Sequence, residues 1–567
     1  MIKGASLVTA VVLTIVLSAS IYASTLYNVD FGNLKVDTIK IRAEGQTISG
    51  RLYVPVEASV DDPRPVVVLA HGISGAKESL CGIALEIARR GFVSLTIDLA
   101  GHGDSGGTLS ADDPSFGLSA VVRHVKSMPF IAEKAVAVVG HSLGAGAARR
   151  TAVSEEVAAV VLIGGGIGGM AEEDSYGVLN GTFPRNMLVA IGEHDVLFDL
   201  DRIVVELEPA FGTSHPVLKD VTYGGFENGT ARRLVLPPTT HLFEPLAPQI
   251  VSEVVAWIEG AFGSPSGYTL APDDLSYLRL ELCLLISLVA MVSLTLSISS
   301  IASMKPTLSM PPQVRVKRRG LSAWYVALIW GGLGLALFLP FMGLGTVVPI
   351  PTQTFGSSLA WWLLGTGALG LALLKLLSKR LSIRSVPFWR SFLESFEKGE
   401  AIIALLLVAF VYLVAIVVEA YFEVNFRVFV PIFSSIGTVE RALAFPTYLP
   451  FCIVYFYSEG LYLFEIKRRE RSGLFDLLEV WGIKLLPFIA VISLQYGCMY
   501  LLDVRLLPGF LGFFVEFLWA IVPLFVITTA ASWWFNRLTG KVGMGVLFNS
   551  LIISWVSASL FPFSSFV

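Results

Sequence analysis

The chain has 567 residues, 54% of them hydrophobic and only 15% charged, with a formal net charge of −4. That balance excludes an ordinary soluble protein and offers no basic stripe for nucleic acid. The apolar excess is uneven: residues 25–262 mix charge, glycine, proline and apolar runs as a globular domain does, and long apolar stretches dominate from 278 to 567.

In chain order, residues 1–24 come first, with Lys3 ahead of an apolar run from Ala5 to Ile21. This is a signal peptide or an N-terminal transmembrane anchor. Ser18, Ala19, Ser20 and Ala23 would permit cleavage, whereas the length of the run favours an anchor. Either one would export the globular residues after it. Thr38 to Ala43 and Thr47 to Val54 alternate as an antiparallel strand pair, and Pro65 to Ala70 is a continuous apolar strand ending in His71-Gly72. A helix is expected over Leu80 to Arg90, then a strand from Phe92 to Ile97 leading into Asp98 to Ser105. Another helix around Ala120 to Ser127 precedes a strand from Ala135 to Val139 and a helix from Ala145 to Val153. Strands come next at Val157 to Ile163, Met187 to Ile191 and Arg233 to Leu236, and a helix from Gln249 to Phe262 closes the unit. Apolar strands alternating with helices imply a mostly parallel sheet covered on both faces. Two segments sit outside this rhythm. Gly164 to Arg185, with Glu172, Glu173 and Asp174, would be a short cap, and Asp199 to Arg232 a lid or an extra edge hairpin.

Residues 263–277, rich in glycine, serine and proline near their start, read as a linker. Beyond it, eight segments match the roughly 20 apolar residues that cross a hydrocarbon core. Their limits are about 279–303, 321–343, 357–378, 400–422, 443–465, 477–502, 508–532 and 543–565. Basic residues crowd alternate connections. Lys305, Arg315, Lys317, Arg318 and Arg319 fill the first, and Lys375, Lys379, Arg380, Arg384 and Arg390 the third. Lys467, Arg468, Arg469 and Arg471 fill the fifth, with Arg537 and Lys541 at the seventh. By the positive-inside rule these loops are cytoplasmic and the globular domain is extracytoplasmic on a multi-pass cell-membrane protein. Only Cys81 of the four cysteines lies in that domain, so it has no internal disulfide. All seven histidines occur by His241, which argues against a histidine-ligated metal inside the membrane region. Glu459 and Glu516 fall within spans, reading either as a proton relay or as glutamates bonded to a neighbouring helix, and Lys484 is expected to snorkel.

The chemistry-bearing motif is Gly140-His141-Ser142-Leu143-Gly144, a G-x-S-x-G pentapeptide between a strand and a helix. A serine hydroxyl needs a base, a residue orienting that base, and donors for a developing oxyanion. Ligands of parallel sheets gather at the carboxyl ends of strands, where Asp195 comes just after Met187 to Ile191 and His241 after the last strand. Asp199 is the alternative acid, or simply a helix start. The order serine, aspartate, histidine, with His71-Gly72 and the Asp98 to Ser105 turn, resembles the α/β-hydrolase superfamily over residues 36–262, in its dienelactone-hydrolase-like and small serine esterase branches.

That resemblance implies an α/β-hydrolase fold fused to an all-α polytopic membrane domain. It also implies Ser142 as nucleophile, His241 as base and then acid, Asp195 as orienting partner, and backbone N–H groups of Ile73 and Leu143 as oxyanion donors, with no metal or other cofactor. His71 and His102 are then turn residues, and His141 points away from the substrate. The expected activity is hydrolysis of carboxylic esters of acyl or lipid-like compounds, the bilayer being the other partner; protein partners are not indicated. An acyltransferase or peptidase would use the same three residues. A transporter or receptor with a non-catalytic ligand-binding domain belongs to a different class.

Overall fold

Alternating apolar strands and helices build residues 34–262 around one nine-stranded sheet in the computed structural model, which describes residues 2–43, 45–167, 179–303, 321–380, 392–428, 430–467 and 473–565. The strands are β1 (Leu34–Ala43), β2 (Gln46–Pro55), β3 (Arg64–Ala70), β4 (Val93–Ile97), β5 (Ile131–His141), β6 (Ala159–Ile163), β7 (Met187–Ala190), β8 (Thr222–Tyr223) and β9 (Arg232–Val235). Their order is β1-β2-β4-β3-β5-β6-β7-β9-β8. From β4 to β9 every neighbouring pair is parallel, while β1–β2, β2–β4 and β8–β9 are antiparallel. Central strands are apolar on both faces because helices cover both: Val66 to Ala70 and Val136 to Val139 are fully buried. The segment from Asp199 to Arg232 is resolved into Leu200–Glu206, Glu208–Phe211 and the two-residue edge strand β8. Glu172, Glu173 and Asp174 of the expected cap lie outside the described residues.

Among the described residues, nine helices are long and apolar enough to span a membrane: Ser6–Asn28, Tyr277–Ala302, Ala323–Val347, Gly356–Leu376, Lys398–Phe422, Val439–Ile466, Leu474–Leu502, Leu511–Thr539 and Gly543–Leu560. The first runs beside the second, with Ser20 and Ser287 hydroxyls 2.9 Å apart and Ser297 donating to the Ser6 carbonyl. Most of the basic loop residues, from Lys305 to Arg319 and at Arg384, Arg390, Arg468, Arg469 and Arg471, lie outside the described residues.

The connection after Gly263 is held down at its far end. Arg90 donates to the Asp274 carbonyl, and one Glu86 carboxylate oxygen accepts the N–H groups of Ser276 (2.6 Å) and Tyr277 (2.7 Å). Those N–H groups open the Tyr277–Ala302 helix and have no intrahelical acceptor, so a side chain of the globular unit caps the helix. A hairpin that periodicity did not signal, Phe426–Val428 with Val430–Phe433, fills the connection after Lys398–Phe422.

The globular unit rests on one end of the helical region. Glu423 accepts from Thr38 (2.6 Å), Arg441 donates to the Gly101 carbonyl (2.9 Å), and the Gly509 N–H donates to the Val196 carbonyl (2.7 Å). Near the chain end, Phe563 and Gly101 are joined by a backbone bond, as are Leu109 and Phe563. Glu423, Arg441, Gly509 and Phe563 therefore all lie at the end of the helical region that meets the sheet domain. Within the bundle Lys484 corrects the expectation of snorkelling. It is 1% exposed, 2.5 Å from the Glu459 carboxylate, and 4.0 Å from the Phe525 ring centre. Pairing with a buried acid costs less than carrying the ammonium alone through an apolar segment.

Candidate active site

The nucleophile position is made by backbone geometry. Ser142 has φ 54° and ψ −114°, a left-handed turn between β5 and the helix Leu143–Ser154. The turn closes only because its flanks lack side chains. A Cβ on Gly140 would run into the Gly144 carbonyl, and one on Gly144 into the Ala70 carbonyl. The turn is pinned by the Ser142 N–H donating to the Ile163 carbonyl at 2.8 Å. Ser142 is thereby left half-buried at the carboxyl edge of the sheet.

Two further strand-end loops converge on it. Asp195 lies just beyond β7, and His241 opens the short helix His241–Leu246 after β9. The loops are zipped together: the Glu193 N–H donates to the Pro237 carbonyl (2.8 Å) and the His194 backbone N–H to the Thr239 carbonyl (3.0 Å). His241 Nε2 lies 2.9 Å from Ser142 Oγ, and His241 Nδ1 lies 2.7 Å from Asp195 Oδ2. The other Asp195 oxygen accepts the Leu197 N–H at 2.8 Å, which fixes the carboxylate plane. Burial disfavours the His241 imidazolium. The Asp195 carboxylate and its hydrogen bond, with Glu244 and Glu516, outweigh that, so the His241 pKa is raised.

Ile73 and Leu143 also reach this point. An added Cβ on Gly72 would sit 3.0 Å from Ser142 Cβ, so the chain entering Ile73 passes directly beside the serine. Leu143 is the first residue of the elbow helix, where the N–H has no intrahelical acceptor and the helix end is electropositive. Both residues are half-buried.

The remaining candidates have structural partners. His71 accepts the Leu99 N–H at Nε2 and bonds the Gly72 carbonyl at Nδ1, with burial lowering its pKa. His102 stacks edge-on against it at 4.8 Å. His141 Nε2 bonds the His241 carbonyl at 3.1 Å, and burial followed by the His241 charge keeps it neutral. Asp98 accepts from the Lys77 backbone (2.7 Å), the Lys77 ammonium (3.1 Å) and the Asp104 backbone (2.9 Å), so it closes a turn away from Ser142. Asp199 caps the helix Leu200–Glu206 through the Arg202 N–H, an acceptor role at a helix start. His124, His215 and Glu193 are exposed, and His194 packs on the Tyr500 ring at 4.1 Å.

Two carboxyl groups lie beside the site that the sequence did not place there. Glu244 is fully buried, accepts the Gly192 N–H (2.6 Å), and has its second oxygen 3.3 Å from His141 and 3.7 Å from His241. Burial, then the Asp195 charge, raises its pKa well above the carboxylate range. Its only sequence signal is an acid three residues after a histidine. Glu516 is the acid that the sequence placed in a span. Its backbone partner is the Leu242 N–H of the sheet domain at 3.0 Å, and Tyr496 of the neighbouring span Leu474–Leu502 also lies beside it. His141, His241 and Glu244 present ligand atoms within 4.8 Å of one another, a spacing that a metal ion would accept. Both His241 nitrogens are already engaged, however, by Asp195 and Ser142.

A model described as "Alpha/beta hydrolase family" matches residues 67–282. Esterase FrsA of Photobacterium profundum is 25% identical over 169 residues, 29% of this chain and 39% of that esterase, so the chain spans well under half of its length. Among solved structures, a Pyrococcus furiosus esterase aligns at 17% identity and TM-score 0.31, covering 41% of this chain and 94% of that one. A Pyrobaculum calidifontis esterase aligns at 17% identity and TM-score 0.31, covering 44% and 92%. The family match and the observed strand order make the globular part of this chain an α/β-hydrolase domain of the α/β-hydrolase superfamily, joined to a helical region with many membrane-capable helices.

Proposed function

We propose that the chain is a membrane-anchored serine hydrolase that cleaves carboxylic esters of acyl or lipid-like compounds, with residues 25–262 on the extracytoplasmic face of the cell membrane. The observation that carries this reading is the continuous hydrogen-bonded chain from Ser142 through His241 to Asp195. In the proposed reaction Ser142 Oγ attacks the ester carbonyl carbon while His241 Nε2 takes its proton. Asp195 holds the opposite nitrogen protonated and stabilises the imidazolium. The Ile73 and Leu143 N–H groups receive the oxyanion. His241 then protonates the departing alkoxide, and the acyl-Ser142 ester is hydrolysed by water that His241 deprotonates in turn.

The acyl preference is supported by the setting. The His241 ring lies edge-on to Phe513 at 5.9 Å, and Phe513 belongs to the span Leu511–Thr539. A substrate dissolved in the bilayer would therefore arrive near the serine without crossing much water. The basic connections favour the extracytoplasmic side.

The test uses the full chain in detergent with p-nitrophenyl esters of increasing acyl length and a matched amide. Ester turnover is expected, and Ser142→Ala should lower kcat by about a million-fold, the usual consequence of removing a triad nucleophile. Wild-type turnover in Ser142→Ala rejects the reading.

A further inference from the structure

Both loops that carry His241 and Asp195 are gripped by one stretch of the membrane region. On the acid loop, the Gly509 N–H bonds the Val196 carbonyl, Arg505 bonds the Phe198 carbonyl, and the Tyr500 ring covers His194. Gly512 packs so closely that an added Cβ would lie 2.9 Å from Val196 Cβ. On the histidine loop, Phe513 meets the His241 ring, Trp519 meets Phe243 at 5.6 Å, and Glu516 Oε2 accepts the Leu242 N–H. Glu516 is 1% exposed, and Tyr496 of the neighbouring span lies beside its carboxyl group. A buried acid is costly unless it is hydrogen-bonded, and its one clear bond goes to the residue next to His241.

We propose that Glu516 is a positioning residue for the histidine, so that the membrane region completes the hydrolase site and is not only its anchor. The inference rests on the serine-hydrolase reading above. Leu242 is tethered through its N–H, and Phe513 limits ring rotation from one face. The His241 Nε2 lone pair is thereby kept on Ser142. The groups facing His241 are Asp195 from the acid loop, His141 from the elbow, Glu244 from its own short helix and Glu516 from the span. Two of these, Asp195 and His141, come from the sheet domain's other loops. Glu516 alone comes from outside that domain.

The experiment compares wild type, Glu516→Leu, Glu516→Gln and Ser142→Ala as full chains in detergent, each checked for an unchanged melting temperature. Turnover of a p-nitrophenyl ester is followed as kcat and KM across pH. Glu516→Leu is expected to lower kcat about tenfold or more with KM little altered, because the histidine rather than the substrate loses its tether. Glu516→Gln keeps an acceptor oxygen for Leu242 and should return kcat to within about threefold of wild type. Both variants should move the ascending limb of the pH profile to lower pH, since each removes a carboxylate facing His241. A purely structural residue would leave that limb in place. Wild-type kcat and an unmoved limb in folded Glu516→Leu overturn the proposal. Turnover persisting in Ser142→Ala counts instead against the serine reading.

Discussion

His241 is surrounded by acids: Asp195 at 2.7 Å, Glu244 at 3.7 Å and Glu516 through the adjacent peptide. As the proposed base it would act only when neutral, and a raised pKa keeps it protonated to higher pH than a free imidazole, about 6.5. The sign is therefore fixed: activity is low below that value and rises as pH climbs through the raised pKa. Initial rates of ester turnover between pH 5 and 10 should show an ascending limb on the alkaline side of 6.5, and a limb at or below 6 would contradict the electrostatics described. At this scale Ser142, Asp195 and His241 were legible because each comes after an apolar strand, at a position where a parallel sheet exposes its ends. Glu244 and Glu516 were not legible as site residues: the first has no local mark and the second reads only as an acid within an apolar span, and long-range packing brings one against Gly192 and the other against Leu242.

The elbow shows how little freedom an element has once its neighbours are in place. Gly144 lies against the Ala70 and His71 carbonyls, and the backbone there has no room for a methyl group. Gly144→Ala should destabilise the domain by roughly 1–3 kcal/mol, the usual range for overpacking a full site, and should suppress turnover further by tilting the helix that carries Leu143. A thermal melt and an ester assay on the same preparation check both parts; an unaltered melt with wild-type turnover would show that the elbow can relax. Long elements were readable for a related reason. Strands buried on both faces, such as β3 and β5, must be continuously apolar, and spans must be long. The two-residue strand β8 and the hairpin Phe426–Val428 with Val430–Phe433 carry no such requirement. They exist because an edge strand or a docked surface offers them partners, which is information held elsewhere in the chain.

In the molecule as a whole, the apolar core does not stop at the domain boundary. One buried cluster runs from Leu80, Ile83 and Ile87 through Tyr277, Leu280 and Leu284 to Ala404, Leu407 and Trp555. Arg441 reinforces the junction, donating to carbonyls of Gly101, Ala558, Ser559 and Phe561. A hydrolase domain this firmly seated, with Phe513 and Glu516 at its histidine, behaves as one unit with the bundle that carries it. The central claim is that Ser142 is the nucleophile of that unit. It is tested most directly by treating the full chain in detergent with a fluorophosphonate and locating the adduct by peptide mass spectrometry. A single adduct on Ser142, forming in step with loss of ester turnover, is the predicted result. Complete loss of turnover with Ser142 unmodified, or an adduct on another serine, would contradict it.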